Sequence, residues 1–333
     1  MLKIGLVGLG VVSKIHIPII EKQDNAKLVA VCDINNDLKS NYPYVNFYNN
    51  YKDMINNEKL DCVHICLPHY LHYEVTKFCV ENGVNVFLEK PLALNYKEAI
   101  EINKIVEKNS VKVCLCLQNR LNETVEKLLE IKDSKKYGDI IGVKGLVSWY
   151  REKDYYDLNP WRKSMSEAGG GVMINQAIHT LDLMYKFCGE VESIKGNVSN
   201  LIYDIEVEDT ASANINFKNG ARGLFFATVA NVDNSSVELE ILFEKGKFII
   251  KDSKLVKINE DGSRIEIMED SKLEGSKFYY GASHKKLIAK FYDCLINNDE
   301  RYIHLSEGIE SIKMIDCIRK SSNLNKLVRM EDL

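Results

Sequence analysis

The sequence contains few prolines and tryptophans, with 5 and 2 of these residues in a chain of 333. It has no run of about 18–20 apolar residues, the length that is needed to span a bilayer. It also lacks an excess of basic charge, because 44 Lys and Arg against 48 Asp and Glu give a net charge of −4. Nucleic-acid-binding proteins normally carry a basic face. We therefore expect neither a membrane nor a nucleic acid among the partners of this chain.

Cysteine patterns typical of metal sites are also missing. The nine cysteines are widely spread and form no C-x-x-C pair and no Cys/His spacing of that kind. Most stand within apolar runs such as residues 63–67, where a free cysteine behaves as a small hydrophobic residue. We expect reduced core cysteines, no bound metal and a cytoplasmic location. The apolar residues 4–12 resemble the core of a signal peptide, but no small-residue cleavage site follows them.

The first part of the chain alternates between two kinds of pattern. Near-continuous apolar runs, which are typical of strands buried on both faces, stand at residues 4–7, 28–32, 63–67, 84–88 and 111–117. Helical patterns at 73–81 and 96–108 separate some of them. Such alternation indicates βαβ units and a parallel sheet. We predict an α/β domain over residues 1–118.

The pattern changes after residue 118. Strand-like residues 209–218 and 221–231 flank Asn219-Gly220, a strong hairpin signal because both residues tolerate a positive φ. Further strand-like runs lie at 237–243, 247–251 and 265–268, and helical patterns return at 287–295 and 309–319. We predict an α+β domain over residues 119–333, built on a mainly antiparallel sheet.

The first predicted strand runs into a glycine-rich turn typical of dinucleotide-binding proteins. Gly8 would make the tight turn, and Gly10 would let the backbone approach a pyrophosphate. Ser13 replaces the usual third glycine. The helix that follows would offer unpaired N–H groups to the phosphates, with Val11 and Val12 at its start.

Asp33 strengthens this interpretation. It lies 25 positions after Gly8, at the end of the second predicted strand, where an acid binds both ribose hydroxyls. A carboxylate would repel the additional phosphate of NADP, so NAD is favoured. Pro18 lies in the helix after the turn and should kink or restart it. The alternative is an α/β domain that binds a different ligand.

In an open parallel sheet, ligands bind beyond the carboxyl ends of the strands. Two such ends are Leu67-Pro68, followed by His72, and Glu89-Lys90. Lys90 would lie beside a bound nicotinamide and could act on a substrate hydroxyl. Its reference pKa of about 10.4 is too high for a base at neutral pH, but burial and a cationic nicotinamide would lower it.

A second polar cluster follows three consecutive glycines at residues 169–171. The periodicity predicts a helix over residues 172–188, closed by Gly189, which places Asn175 and His179 on one face. A glycine run before such a helix suggests close approach of the backbone to a ligand. The alternative is a structural histidine in a helix that packs on the sheet.

Taken together, these segments resemble the glucose–fructose oxidoreductase/inositol dehydrogenase family, called Gfo/Idh/MocA. The resemblance covers nearly the whole chain, and the order and spacing of the motifs are specific although each motif is weak alone. The matching segments are Gly8-x-Gly10, Asp33, Pro68 with His72, Glu89-Lys90-Pro91, Gln118-Asn119-Arg120, Trp161-Arg162, and Gly169-Gly170-Gly171 with His179-Thr180-Leu181-Asp182.

The resemblance implies a Rossmann domain and a substrate domain with a large open sheet that pairs subunits into homodimers or homotetramers. It implies an NAD-dependent oxidoreductase acting on a secondary alcohol or ketone of a sugar, a cyclitol or a nucleotide-sugar. Lys90 and His179 would flank the reacting carbinol, with a cis Lys90–Pro91 peptide bond. We expect His179 to take the hydroxyl proton and Lys90 to orient that oxygen, although the two roles could be exchanged.

The remaining site residues also follow from the resemblance. Inositol dehydrogenase-like members carry Asp at the position of Asn175, whereas the branch resembling nucleotide-sugar 3-dehydrogenases has Asn. An amide cannot exchange a proton, so Asn175 would instead hydrogen-bond the substrate. The full expected substrate set is Lys90, Arg120, Tyr155, Trp161, Arg162, Asn175 and His179. The expected cofactor set is Gly8, Gly10, Val11, Val12, Asp33, Leu67, Pro68, His72, Glu89, Lys90 and Gln118.

Two other functions stay open at this point. One is a glycosidase that uses bound NAD for transient oxidation, elimination and hydration. The other is a non-catalytic regulator that senses NAD or a sugar. The presence of both Lys90 and His179 favours an enzyme over a regulator.

Overall fold

A computed structural model describes residues 1–271 and 283–333 and divides the chain into two compact units. The first unit comprises residues 1–118 and 283–309, and the second comprises the described residues of 119–282 and 310–333. The predicted second domain, 119–333, differs from this division in one segment, because residues 283–309 belong with the first unit. The helical periodicity of that segment shows which face is apolar, but it does not show which core covers it.

The first unit is built on a six-stranded sheet. Every pairing in it is parallel, in the order β3-β2-β1-β4-β5-β6. The strands are β1 (Leu2–Val7), β2 (Ala26–Cys32), β3 (Asn46–Tyr48), β4 (Cys62–Ile65), β5 (Asn85–Leu88) and β6 (Val113–Leu115). The chain reverses its direction of progress across the sheet between β1 and β4, the position where open α/β sheets bind ligands. The predicted parallel α/β architecture is confirmed.

Helices cover the faces of this sheet. They are α1 (Ser13–Glu21), α2 (Tyr51–Asn57), α3 (His72–Glu81), α4 (Tyr96–Glu107) and α10 (Ser283–Asn297). Helix α1 continues through Pro18 as one element, so of the two expected effects, a kink or a restart, the restart does not occur. Its apolar face, Ile17, Ile19 and Ile20, is buried, and this packing offsets the one backbone hydrogen bond that proline removes.

The second unit is built on a nine-stranded sheet in the order β14-β13-β12-β11-β7-β10-β9-β8-β15. Only the β7–β10 pair is parallel among its described pairings, so the predicted mainly antiparallel sheet is confirmed. The strands are β7 (Ile140–Ser148), β8 (Val191–Ser199), β9 (Thr210–Phe217), β10 (Arg222–Thr228), β11 (Glu238–Phe243), β12 (Gly246–Lys251), β13 (Lys254–Ile258), β14 (Arg264–Glu269) and β15 (Val328–Arg329). The predicted hairpin joins β9 to β10, with Gly220 at φ +89°.

The helices of the second unit include several single turns. They are α5 (Glu123–Asp133), α6 (Asp154–Asp157), α7 (Met165–Ala168), α8 (Val172–Asn175), α9 (Ile178–Cys188) and α11 (Ile309–Leu324). The helix predicted over residues 172–188 is therefore wrong as one element, since Gln176 and Ala177 interrupt it. Helix α9 packs closely on β7, where a Cβ on Gly145 would lie 2.6 Å from the Thr180 methyl group. Among the described helices, none combines the length and the apolar character that crossing a bilayer requires.

Candidate active site

The turn after β1 has the shape that its two glycines predict. Gly8 has φ +93°, and a Cβ there would lie 2.5 Å from the Cys66 carbonyl oxygen, so only glycine fits. Its N–H donates to the Cys32 carbonyl at 2.8 Å. Gly10 differs from it, because it is exposed and a Cβ there would meet nothing within 4 Å. The turn is therefore tight at Gly8 and open at Gly10.

Ser13 takes the place of a third glycine without disturbing this turn. Its buried hydroxyl donates to the Gly10 carbonyl at 2.7 Å and so ties the start of α1 to the turn. The N-cap residue Val12 makes no side-chain capping hydrogen bond, and Val11 is 62% exposed. The positive end of α1 therefore has no acidic cap of its own, which suits an anionic ligand.

Asp33 lies directly beside the glycine turn. Its Oδ2 accepts the Leu9 N–H at 2.7 Å, and its Oδ1 accepts the Asn35 N–H at 2.9 Å. The side chain stays half-exposed. Together, the open Gly10, the uncapped helix and this carboxylate fit a dinucleotide, with the pyrophosphate at the turn and a ribose at Asp33.

The segments beyond β4 and β5 place some predicted residues at the surface and others inside. Leu67, Pro68 and Lys90 are half-buried and accessible. The Lys90–Pro91 peptide bond is cis, as predicted. His72 is fully buried, with Nδ1 2.6 Å from the Pro91 carbonyl and Nε2 2.9 Å from the Leu67 carbonyl. Both ring nitrogens of His72 thus face backbone carbonyls, and a direct contact with the cofactor stays a prediction.

Glu89 also points away from the cofactor surface. Its Oε1 lies 2.9 Å from His16 Nε2 and 3.4 Å from His284 Nε2, and Oε2 accepts the Lys90 N–H at 3.2 Å. Burial would raise the pKa of Glu89, but hydrogen bonds from the two histidines outweigh it and hold that pKa well below its usual range. Glu89 therefore belongs to a buried cluster next to Lys90 in sequence, and its contact with the cofactor stays a prediction.

Two further features belong to the same region of the first unit. Gln118 is buried, and its side-chain oxygen accepts the Cys116 thiol at 3.5 Å, so a direct cofactor contact stays a prediction.

Donor atoms of His16, Glu89, Cys116 and His284 all lie within 4.8 Å of one another. In residues 1–271 and 283–333, this is the one group with the composition of a metal site. The pairings around Glu89 account for these side chains without an ion.

A buried stretch of the second unit contains three accessible polar residues. From residue 168 to residue 184 every residue is buried except Asn175, Gln176 and His179, which are half-buried. The break between α8 and α9 brings two successive side chains to one hydroxyl. Asn175 Nδ2 and Gln176 Nε2 donate to the Tyr155 oxygen at 2.9 Å and 3.0 Å. Gln176 was missing from the predicted site, because a continuous helix would turn its side chain away from Asn175.

Aromatic and guanidinium groups extend this surface. The Arg162 guanidinium lies 4.1 Å from the centre of the Tyr155 ring and 5.5 Å from that of Trp161. Arg151 lies 5.5 Å from the Tyr155 ring and 4.9 Å from the Trp149 ring. The structure thus brings together three predicted residues, Tyr155, Trp161 and Arg162, and adds Arg151. Nothing in the spacing of the sequence distinguishes Arg151 from a surface arginine.

Packing in the second unit bears on the glycine run and on Arg120. A Cβ on Gly170 would lie 1.6 Å from Arg319 Nη2, and one on Gly171 would lie 1.8 Å from the Glu208 carbonyl oxygen. At Gly170 and Gly171, the missing Cβ atoms therefore make room for the protein's own groups. Arg120 is 6% exposed, and its Nε and Nη2 donate to Asp182 at 2.8 Å and 2.7 Å. The Arg120 guanidinium thus forms a buried ion pair within the second unit, and its contact with a substrate stays a prediction.

The strand order, the glycine turn and Asp33 define the first unit as a dinucleotide-binding domain of the Rossmann class. Comparison with protein-family models specifies it further. Residues 2–116 match the model described as oxidoreductase family, NAD-binding Rossmann fold, and residues 125–249 match the GFO/IDH/MocA C-terminal domain. The chain belongs to the Gfo/Idh/MocA oxidoreductase family, as its motifs predicted, and it is an NAD-binding oxidoreductase.

Individual relatives agree with this assignment. The chain is 30% identical to oxidoreductase P35 of Formosa agariphila over 226 residues, 66% of this chain and 70% of that protein. It is 25% identical to myo-inositol 2-dehydrogenase of Thermotoga maritima over 299 residues, 84% and 87% of the two chains. The WlbA dehydrogenase of Bordetella pertussis, solved with NADH and UDP-GlcNAcA, superimposes with a TM-score of 0.86 at 26% identity and 98% coverage of both chains.

Proposed function

We propose that this chain is an NAD-dependent dehydrogenase acting on a secondary alcohol of a sugar, a cyclitol or a nucleotide-sugar. The observation that supports this most is the accessible group Asn175, Gln176 and His179 within an otherwise buried stretch. An imidazole for proton transfer beside two amides suits a substrate with several hydroxyl groups. Relatives named for myo-inositol and crystallised with UDP-GlcNAcA support the same substrate classes.

NAD would bind at the open part of the glycine turn. Gly10, Val11 and Val12 would hold the pyrophosphate at the start of α1, and Asp33 would bind a ribose. Bound NAD would supply the acceptor for the hydride that leaves the carbinol carbon. The Asp33 carboxylate would repel a 2′-phosphate, so we propose a preference for NAD over NADP.

Residues of the protein itself then accept the proton of the substrate hydroxyl and orient the substrate. We assign to His179 the transfer of the substrate hydroxyl proton and to Lys90 a hydrogen bond that orients the substrate, two roles that could be exchanged. Asn175 cannot exchange a proton, so it binds and orients the substrate together with Gln176 and the Tyr155 hydroxyl. The oxygen of Tyr155 already accepts two N–H groups, which directs its own O–H elsewhere and makes it a donor.

Two arginines favour an anionic form of the sugar substrate. The hydrogen-bond acceptors of Arg151 are the Tyr150 carbonyl and the Asn234 side-chain oxygen, and Arg162 donates to the Tyr155 carbonyl. These acceptors are neutral, so they leave the positive charge of both guanidinium groups to attract phosphate or carboxylate. A nucleotide-sugar or a sugar acid is therefore favoured over a neutral cyclitol.

A substrate panel with two variants tests this function. NADH absorbance is followed with myo-inositol, levoglucosan and UDP-GlcNAcA, and NAD binding is measured by calorimetry. Lys90→Ala and His179→Ala should each lower kcat by about 10²–10⁴-fold while NAD binding is kept. Lys97→Ala, at an exposed helical position, serves as the control.

The same panel separates the alternatives. Near-full turnover in both variants would refute the mechanism. Release of product from a glycoside without net NADH would point to the glycosidase instead. Binding of NAD without turnover of any substrate would point to a regulator.

We further propose that the outer face of the nine-stranded sheet joins subunits into a homodimer or homotetramer. Leu146 and Phe226 stand opposite each other on neighbouring strands, and Leu224 and Leu242 are 47% and 39% exposed. Light scattering should show an oligomer that Leu224→Asp dissociates. Val232→Asp, at a loop position that is 92% exposed, should leave the oligomer intact. A monomeric wild-type protein would refute this assembly.

A cytoplasmic location is proposed on separate grounds. All nine cysteines are free and buried, as expected for a protein of a reducing compartment.

A further inference from the structure

A line of buried polar side chains lies behind Glu89 in the first unit. Tyr292 of α10 lies with its hydroxyl 2.8 Å from His64 Nε2 on β4. The Nδ1 atoms of His64 and of His16, on α1, are 2.8 Å apart. His16 Nε2 lies 2.9 Å from Glu89 Oε1. The tyrosine and both histidines are fully buried, and Glu89 is 5% exposed, so solvent takes no part in these contacts.

The carboxylate of Glu89 sets the direction of all three hydrogen bonds. An ionised carboxylate only accepts, so His16 must donate from Nε2. Burial lowers the pKa of His16 and lowers that of His64 well below its ordinary value, so both rings are neutral. His16 Nδ1 then carries a lone pair and accepts from His64 Nδ1–H. His64 Nε2 in turn accepts the Tyr292 hydroxyl proton, and every donor points toward Glu89.

We propose that Tyr292, His64 and His16 are positioning residues for Lys90, acting through Glu89. Hydrogen bonds in a chain of one direction polarise each other, so the charge and rotamer of the terminal carboxylate are held together. The other oxygen of Glu89 accepts the Lys90 N–H at 3.2 Å and so fixes the backbone from which the Lys90 side chain extends. The importance of Lys90 for turnover rests on the proposed function, whereas the chain of hydrogen bonds does not.

Loss of the His16 donor should change the protonation of Glu89. A buried carboxyl that loses a strong donor takes up a proton at higher pH. Once protonated, it is a weaker acceptor for the Lys90 N–H. The titratable groups that bear on Glu89 from the packed elements, apart from Lys90, are His16, His64, His284, Cys116, Cys66 and His72. His16→Leu should therefore introduce an acidic limb into the pH profile of kcat. His16→Gln keeps an N–H near the position of Nε2 and should remove that limb.

The tautomers of the two histidines test the proposal without any substrate. In protein labelled with ¹⁵N-histidine, long-range ¹H–¹⁵N spectra should show His16 protonated at Nε2 and His64 protonated at Nδ1, with signals assigned from His16→Gln and His64→Phe. A divalent metal bound through His16 Nε2 would reverse the chain, with His16 protonated at Nδ1 and His64 at Nε2. The reversed tautomers, or one metal per chain by mass spectrometry, would overturn the proposal.

The connection to Lys90 is tested by a second measurement that needs no turnover. Reductive methylation with ¹³C-formaldehyde labels the lysines, and Lys90→Arg identifies the Lys90 signal. His16→Leu should shift that signal, whereas His16→Gln and His304→Gln, at a half-buried position, should leave it in place. An unchanged signal in His16→Leu would overturn the positioning role.

Kinetics complete the test. Relative to wild type, His16→Leu should lower kcat at least tenfold with KM for NAD within about twofold, and His16→Gln should recover most of the loss. Tyr292→Phe removes only one hydroxyl and should lower kcat less than His16→Leu. Equal kcat in wild type and His16→Leu would refute the proposal. Absence of wild-type turnover would instead count against the proposed function, since the two spectroscopic results stand alone.

Discussion

At the scale of single residues, chemistry in the first unit depends on whether a side chain is accessible. Asp33 and Glu89 are both acids at the ends of strands, and sequence alone assigns both to the cofactor. Asp33 is half-exposed beside the glycine turn, whereas Glu89 is buried against two histidines. The first is therefore placed for a ligand, and the second for the protein's own lysine.

Asp33 gives a direct test of cofactor choice. Asp33→Asn keeps an acceptor for the Leu9 N–H but removes the charge, so NAD should bind about 10- to 100-fold more weakly and the preference over NADP should shrink. Fluorescence titration with both cofactors measures this. Asp37→Asn, at an exposed position on the following turn, is the control and should bind NAD normally. Unchanged NAD affinity in Asp33→Asn would remove Asp33 from the cofactor site.

The buried pair Arg120–Asp182 is expected to matter for stability. Removing one partner leaves the other charge buried, which costs about 3–5 kcal/mol, so Asp182→Ala should lower Tm by about 10 °C. The double variant Arg120→Leu with Asp182→Leu should recover part of this loss, because neither charge is then left alone. Calorimetry of the wild type, Asp182→Ala and the double variant measures the three Tm values. A substrate-binding arginine would instead show its effect in KM with little change in Tm.

At the scale of elements, the two glycines of the first turn have separable tasks. Gly8→Ala should lower stability by about 2 kcal/mol or more, because its φ of +93° and its contact with Cys66 exclude a Cβ. Gly10→Ala meets open space and should leave Tm within about 1 °C. Its added methyl group should nevertheless weaken NAD binding about tenfold or more, since the backbone must approach the pyrophosphate there. Thermal unfolding and calorimetric titration of the pair measure both effects.

The helices and strands also show which parts of the fold could be predicted from the sequence. Periodicity predicted β1, α3 and the hairpin β9–β10 closely, because each buries a regular pattern of side chains. It missed the break between α8 and α9, since the apolar spacing continues through Gln176 and Ala177. It also assigned the glycines 170 and 171 to a ligand, although their space is taken by Arg319 and Glu208, which are distant in sequence. Local pattern predicts elements, whereas long-range packing decides which surfaces stay open.

At the scale of the whole molecule, ionisable groups are unevenly distributed. Six of the seven histidines belong to the first unit, and only His179 belongs to the second. Burial lowers the pKa of His16, His64 and His72 below the ordinary value of 6.5. The folded protein therefore keeps these rings neutral at pH values where the unfolded chain binds protons.

This difference predicts a loss of stability on mild acidification. Below pH 6.5 the unfolded state binds up to three more protons at these sites, so the free energy of unfolding falls by at most about 4 kcal/mol per pH unit. The fall ends as the pH passes below the lowered pKa values of the folded state. Urea unfolding followed by circular dichroism between pH 8 and pH 5 measures the slope. His64→Phe should reduce it by about one proton.

The return of residues 283–309 to the first unit has a consequence for synthesis of the chain. Glu89 leaves the ribosome long before His284 and Tyr292, and the whole described part of the second unit up to residue 271 is made in between. The nascent first unit thus lacks helix α10 and the donors that it contributes to the buried cluster. The buried cluster around Glu89 is therefore completed only after helix α10 has been synthesised, and so after the described part of the second unit up to residue 271.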